Sequence, residues 1–192
     1  CGFIGTSLIA KLIETQSDPQ VRVLDNLSIG RKEDLAEVCQ FAEVAADGVL
    51  GADGVVFIQG DIRDAETCEL AAANVDCIVH LAANTGVGPS VENPRVDMEA
   101  NVVGAFNLLE SARINRVPQF VFASSGAPAG VVDPPIHEEI APHPVSPYGS
   151  SKLAGEGYCS SYYHTYGIKT VALRFGNVYG PKSKHKSSVV AK

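Results

Sequence analysis

The chain has 192 residues, 45% of them hydrophobic, which is enough for one domain with a full apolar core. A formal net charge of −7, few aromatics and no basic stripe argue against a nucleic-acid surface. No apolar stretch approaches the ~20 residues of a membrane span, and no signal peptide is visible. Five cysteines (Cys1, Cys39, Cys68, Cys77, Cys159) lack C-x-x-C spacing, which predicts reduced thiols in a cytoplasmic protein, Cys77 in a buried strand, and no metal site.

The chain opens with "CGFIGTSLIAKLIE", where Gly2 and Gly5 have the spacing of the second and third glycines of a dinucleotide-binding turn, followed by a helix over 5–16. Such glycines let the backbone approach a pyrophosphate, and the helix that follows points its free N–H groups and positive end at it. The apolar strand and first glycine that should precede them are absent. The run at 21–24 reads as a strand ending at Asp25, 20 positions after Gly5, where a carboxylate accepts hydrogen bonds from adenosine ribose hydroxyls. That carboxylate repels a 2′-phosphate and favours NAD over NADP. Arg31 and Lys32 read as solvated residues in the first turn of a helix over 31–46.

Further apolar runs at 55–58, 75–82, 118–123 and 168–175 read as buried strands. Helical patterns fall between them: one over 64–73, one with the stripe Met98, Val102, Ala105, Phe106, Leu109 and Ala112, and one over 146–166 with Ser146 as N-cap and Pro147 at its first position. Strict alternation of strand and helix predicts an α/β fold, a doubly wound parallel sheet of Rossmann type, incomplete at both ends.

The last helix carries the most informative pair, Tyr148 and Lys152, four positions apart and therefore on one face. A free phenol titrates near pKa ~10, and a cation at ~4 Å in an effective dielectric of ~20 is worth about 4 kcal/mol, an upper limit of roughly three pKa units. The spacing therefore predicts a phenol acidified by its lysine and available as a base near pH 7. His80, inside an apolar run, reads as a core residue or a neighbour of the site rather than a ligand. The remaining histidines show no metal-ligand pattern.

"GFIG", "LDNLSIGR", "GDIRD", "VHLAA", "NVVGAFNLLE", "FVFASS", "SPYGSSKLAGE" and "LRFGNVYGP" occur in that order. In this the chain resembles the extended short-chain dehydrogenase/reductases, in particular the NAD-dependent epimerase/dehydratase family of nucleotide-sugar enzymes, with UDP-glucose 4-epimerase-like members the nearest in look. The resemblance implies residues 1–180 as an NAD-binding Rossmann domain lacking its first strand, and 181–192 as the start of a C-terminal substrate region. It implies that Gly2, Phe3, Ile4 and Gly5 line the pyrophosphate, that Asp25 and Asn26 hold the ribose, that Asp61 and Ile62 flank the adenine, and that Leu81, Ala82 and Ala83 pass under the cofactor. Asp61 has a second reading as the cap of the helix starting near Arg63. Asn101 reads either as an organiser of the cofactor site or as a buried polar residue bonding backbone.

For chemistry, the resemblance implies that Ser125 hydrogen-bonds the sugar hydroxyl and the tyrosine, Tyr148 abstracts the hydroxyl proton, Lys152 acidifies Tyr148 and binds the nicotinamide ribose, and Asn177 contacts the nucleotide-sugar phosphates. The expected reaction is 4-epimerisation of a nucleotide sugar, UDP-sugars favoured, through a 4-keto intermediate. Dehydratases of the family place an Asp-Glu pair directly after their Ser/Thr, whereas Gly126 and Ala127 stand here. Ala129 replaces a usual tyrosine, so the sugar itself is open. The alternatives are another NAD-dependent nucleotide-sugar reaction (decarboxylation, reduction, dehydration) and dinucleotide binding without catalysis. The stripe at Met98, Val102, Ala105 and Leu109, with Gly149, Ala154 and Gly157 on the Tyr148 helix, is expected to form a homodimer interface; the alternative is that both stripes only cover the sheet.

Overall fold

Short apolar strands alternate with helices along the described residues of a computed structural model, 1–51 and 53–180. The elements are α1 (Phe3–Thr15), β1 (Val21–Asp25), α2 (Lys32–Ala36), β2 (Ala42–Glu43), β3 (Val55–Gln59), α3 (Ala65–Ala71), β4 (Cys77–His80), α4 (Val87–Glu92), α5 (Pro94–Met98), α6 (Gly104–Ile114), β5 (Gln119–Ser125), α7 (Pro147–Tyr166) and β6 (Lys169–Phe175). A π-helical turn, Glu99–Val103, joins α5 to α6. Every pairing among these strands is parallel, in two three-stranded sheets of order β1-β3-β2 and β4-β5-β6. Parallel strands joined by helical crossovers are the Rossmann-type arrangement. The chain divides into two compact units, Cys1–Asp61 with the stretch from Asn177 onward, and Ile62–Gly176. The expected substrate segment 181–192 lies outside the described residues.

In the first unit, Phe57, Val23, Leu35, Ile9 and Cys1 form the core, with Val38, Phe41 and Val55 packed against it. The helix expected over 31–46 is only α2. Beyond Glu37, Val38 and Phe41 turn onto Phe57, and Ala42–Glu43 pair with Val56 and Phe57, so core packing and a strand pairing override a helical pattern. Lys32 is engaged with the Glu43 carboxylate at 2.7 Å rather than left to solvent. Among the described residues β1 pairs with β3 alone.

In the second unit, Phe120, Phe122, Leu109, Ala112 and Val117 are fully buried between sheet and helices. Among the described residues β4 pairs with β5 alone, which explains why Cys77 is exposed where a buried strand was expected. α7 begins as its sequence dictates, with Ser146 Oγ accepting from the Gly149 N–H at 3.1 Å and Pro147 in the first turn, and it stops at Gly167 in the left-handed region at φ 74°. Where α7 crosses β5 the helix carries Gly155, because a Cβ there would stand 2.3 Å from Phe122 Cζ. The apolar stripe divides: Ala105, Leu109 and Ala112 are buried within the unit and Val102 is half-buried, whereas Met98 and Phe106 remain exposed, as does Val103 outside the stripe.

Candidate active site

In the first unit the ends of β1 and β3 meet the start of α1. The Asp25 carboxylate accepts from the amino group of Cys1 at 2.8 Å through Oδ2 and from the Leu27 N–H at 2.8 Å through Oδ1. The Asn26 side chain donates to Asp61 Oδ2 at 3.0 Å, so Asp25, Asn26 and Asp61 form one polar cluster. Asp61 does not cap the following helix; Asp64 does, accepting from the Glu66 N–H at 3.1 Å. α1 begins at Gly2 with no side chain capping it, and a Cβ on Gly2 would meet nothing within 4 Å. An uncapped helix start, a bare glycine turn and an adjacent carboxylate fit a dinucleotide's pyrophosphate and ribose. Gly30 belongs to this cradle, since a Cβ there would lie 2.4 Å from the Cys1 carbonyl carbon. Sequence reasoning passed over it, although a glycine shortly after the strand-end carboxylate was a signal.

In the second unit, Ser125 lies at the end of β5 close enough to the Tyr148 phenol to favour its ionised form, and its Oγ accepts from the Ala127 N–H at 3.2 Å. Lys152, one turn along α7 from Tyr148, is 3% exposed. Its ammonium donates to the Ala123 carbonyl oxygen at 2.9 Å, 4.9 Å from the centre of the Phe122 ring and 5.8 Å from that of Tyr148. Burial pulls the ammonium down to about 8, partly opposed by the charge of Asp97. The phenol departs from expectation: burial raises its pKa, the negative charge of Asp97 raises it further, and the lowering influence is the Ser125 hydrogen bond. The ammonium is aimed at a β5 carbonyl and stands 5.8 Å from the centre of the Tyr148 ring, and burial of the phenol outweighs the influences that lower its pKa, so the net shift is upward where the four-residue spacing predicted a downward one.

Asn101, on the π-turn, is a buried polar residue that bonds backbone, as one of its two readings had it. Its Oδ1 accepts from the Asn84 N–H at 2.8 Å, and its Nδ2 donates to the Asn84 carbonyl at 2.9 Å, to Asp97 Oδ1 at 2.9 Å and to Ser151 Oγ at 3.2 Å. It thereby ties the segment Leu81, Ala82, Ala83 and Asn84, which leaves β4, to α7. Ile62 is a core residue beneath α6, where a Cβ on Gly104 would touch its Cδ1 at 2.4 Å. Asn177 is exposed just beyond β6, in the stretch grouped with the first unit. His80 is 3% exposed, its ring 5.7 Å from Phe122 and 6.2 Å from Phe120, with Nε2 unpartnered. Burial pulls its pKa down to about 3, and the Lys152 charge contributes. Asp97, buried at 1% exposure, was missed; an acid in the polar run "NPRVDMEAN" looks solvated in sequence.

Parallel strands crossed by helices and a tyrosine, lysine and serine gathered at one strand end define the short-chain dehydrogenase/reductase class. Residues 1–192 match the model of the NAD dependent epimerase/dehydratase family. A putative UDP-glucose 4-epimerase of Methanocaldococcus jannaschii is 38% identical over 189 residues, which cover 96% of this chain and 56% of that protein. The crystal structure of Thermus thermophilus UDP-glucose 4-epimerase complexed with NAD has a TM-score of 0.81 and 39% identity, over 94% of this chain and 54% of that one. A dTDP-glucose 4,6-dehydratase of Mycobacterium tuberculosis is 30% identical, over 94% of this chain and 52% of its own length. The chain belongs to the NAD dependent epimerase/dehydratase family, and it spans about half the length of these relatives.

Proposed function

We propose that the complete protein is an NAD-dependent nucleotide-sugar epimerase that inverts C4 of a UDP-hexose by transient oxidation. The observation that carries this reading is the placement of Ser125 at the end of β5 and Tyr148 at the start of α7, with the Lys152 ammonium 5.8 Å from the centre of the Tyr148 ring. Ser125 aligns the sugar's 4-hydroxyl, Tyr148 takes its proton, and Lys152 holds the nicotinamide ribose and supplies positive charge beside the forming phenolate's ring. Gly2, Phe3, Ile4 and Gly5 would hold the pyrophosphate and Asp25 and Asn26 the adenosine ribose; Asp61 and Ile62 are assigned to the adenine, and Leu81, Ala82 and Ala83, braced by Asn101, to the cofactor as well. Asn177 is assigned to the nucleotide-sugar phosphates. When bound, NAD would supply a positive ring that favours the phenolate and a hydride acceptor for sugar C4 from which the hydride can be recovered. Relatives named as 4-epimerases support the reaction, as do Gly126 and Ala127, which offer no acid or base for eliminating water.

The exposed apolar residues Met98, Val103 and Phe106, with Tyr158 against Phe106 at 5.5 Å between ring centres, are the face we assign to a homodimer contact. Incubating the complete protein with NAD and UDP-sugars tests the function. Epimer without net NADH is expected. A dehydrated keto sugar, net NADH, or binding without turnover would each replace the reading with a different one.

A further inference from the structure

Among the described residues, Asp97 is the only buried carboxylate and Lys152 the only buried lysine or arginine, and the two interact electrostatically. A buried charge is tolerated when an opposite charge and hydrogen bonds accompany it. Asp97 Oδ1 accepts from Asn101 Nδ2 at 2.9 Å; burial raises the pKa of the carboxyl group, and Ser151, Asn101 and the Lys152 charge oppose that rise. Ser151 precedes Lys152 in the chain, and its Oγ reaches the Tyr148 carbonyl at 3.0 Å and Asn101 Nδ2 at 3.2 Å. The network therefore runs from α5, through the π-turn and the loop after β4, into the turn of α7 that carries Tyr148 and Lys152.

We propose that Asp97 is a positioning residue for the Tyr148–Lys152 pair: its buried carboxylate is the counter-charge that keeps the Lys152 ammonium protonated, and through Asn101 and Ser151 it fixes the turn of α7 that carries both side chains. The inference rests on the reading of Tyr148 and Lys152 as catalytic. The groups facing Lys152 are His80 from β4, the Ala123 carbonyl from β5, Tyr148 on its own helix and Asp97 from α5. His80 stays neutral near neutral pH and the carbonyl carries no net charge, so Asp97 supplies the negative charge. Its charge also opposes ionisation of Tyr148, so the phenol holds its proton while the lysine holds its charge. This balance leaves the phenol to be ionised by a positive charge brought with the ligand.

Carbon-13 NMR of the complete enzyme, with lysine and aspartate side chains labelled and neither sugar nor dinucleotide added, tests this independently of turnover. Asp97→Asn keeps the shape and an acceptor oxygen but removes the charge. The acid dissociation constant of Lys152 is expected to rise about tenfold or more, the effect of removing a unit charge within ~10 Å in an effective dielectric of ~20. A change below twofold would overturn the proposal. In the unsubstituted enzyme the Asp97 carboxyl carbon is expected to report an ionised group at pH 7. A protonated carboxyl there would overturn the proposal whether or not the variant folds. Neither result depends on epimerisation, so a wrong assignment of the reaction would show separately.

Discussion

His80 gives the sharpest link between burial and a measurable quantity. Its imidazole is enclosed by Phe120 and Phe122 beside the Lys152 ammonium, and it titrates at about 3 instead of 6.5. The folded state therefore binds fewer protons than the unfolded state below pH 6.5. The associated stability is fully present above that value and is lost as the pH falls towards 3. Between pH 7.5 and pH 5.0 this one group removes about 2 kcal/mol of stability, because the unfolded imidazole takes up a proton that the folded one refuses. Urea unfolding of the complete enzyme at both pH values, compared with His80→Leu, isolates the effect, since other titrating groups cancel in the difference. The wild type is expected to lose about 2 kcal/mol more than the variant. Equal losses, or an imidazole resonance that titrates between pH 5 and 8 in the folded protein, would refute the reasoning.

Tyr148→Phe keeps the ring and removes the ionisable oxygen, so turnover should fall about 10²- to 10⁴-fold with NAD still bound; near-normal rates would remove Tyr148 as the base. Asp25→Ala should weaken NAD binding by about 1.5–3 kcal/mol and relax discrimination against NADP, as measured by calorimetry with each dinucleotide. Unchanged affinities would assign Asp25 elsewhere. Gly155→Ala places a methyl 2.3 Å from Phe122 Cζ, inside a ring that Lys152 overlies, and should cost about 1–3 kcal/mol in thermal unfolding. An unaltered melting temperature would mean that α7 shifts freely on β5.

The strands and α7 were legible because their signals are local. Short β-branched runs bounded by turn residues make β1, β3 and β5, and Ser146, Pro147 and Gly167 punctuate α7 at both ends. The second helix was misread because Val38 and Phe41 follow the core around Phe57, a tertiary demand that residues 31–46 do not announce. The π-turn at Glu99–Val103 has no compositional mark, so the interface stripe drawn through it put Ala105 and Leu109 on the wrong face. Ser125, Tyr148 and Lys152 came together as the motif order implied. The acidity of Tyr148 did not follow from spacing, because a Coulomb estimate at ~4 Å takes no account of where the ammonium points or of the burial of both groups. Asp97 escaped notice for the converse reason: its burial and its partners come from separate stretches of chain.

The central claim is that Tyr148 serves an oxidation at sugar C4 that is reversed before the product leaves. The direct measurement follows UDP-glucose carrying deuterium at C4 through the complete enzyme with NAD, by mass spectrometry and proton NMR. The account predicts UDP-galactose with the deuterium still on C4, its configuration inverted, and no net NADH in solution. Deuterium lost from C4 without inversion, or a product oxidised or dehydrated at the sugar, would contradict it.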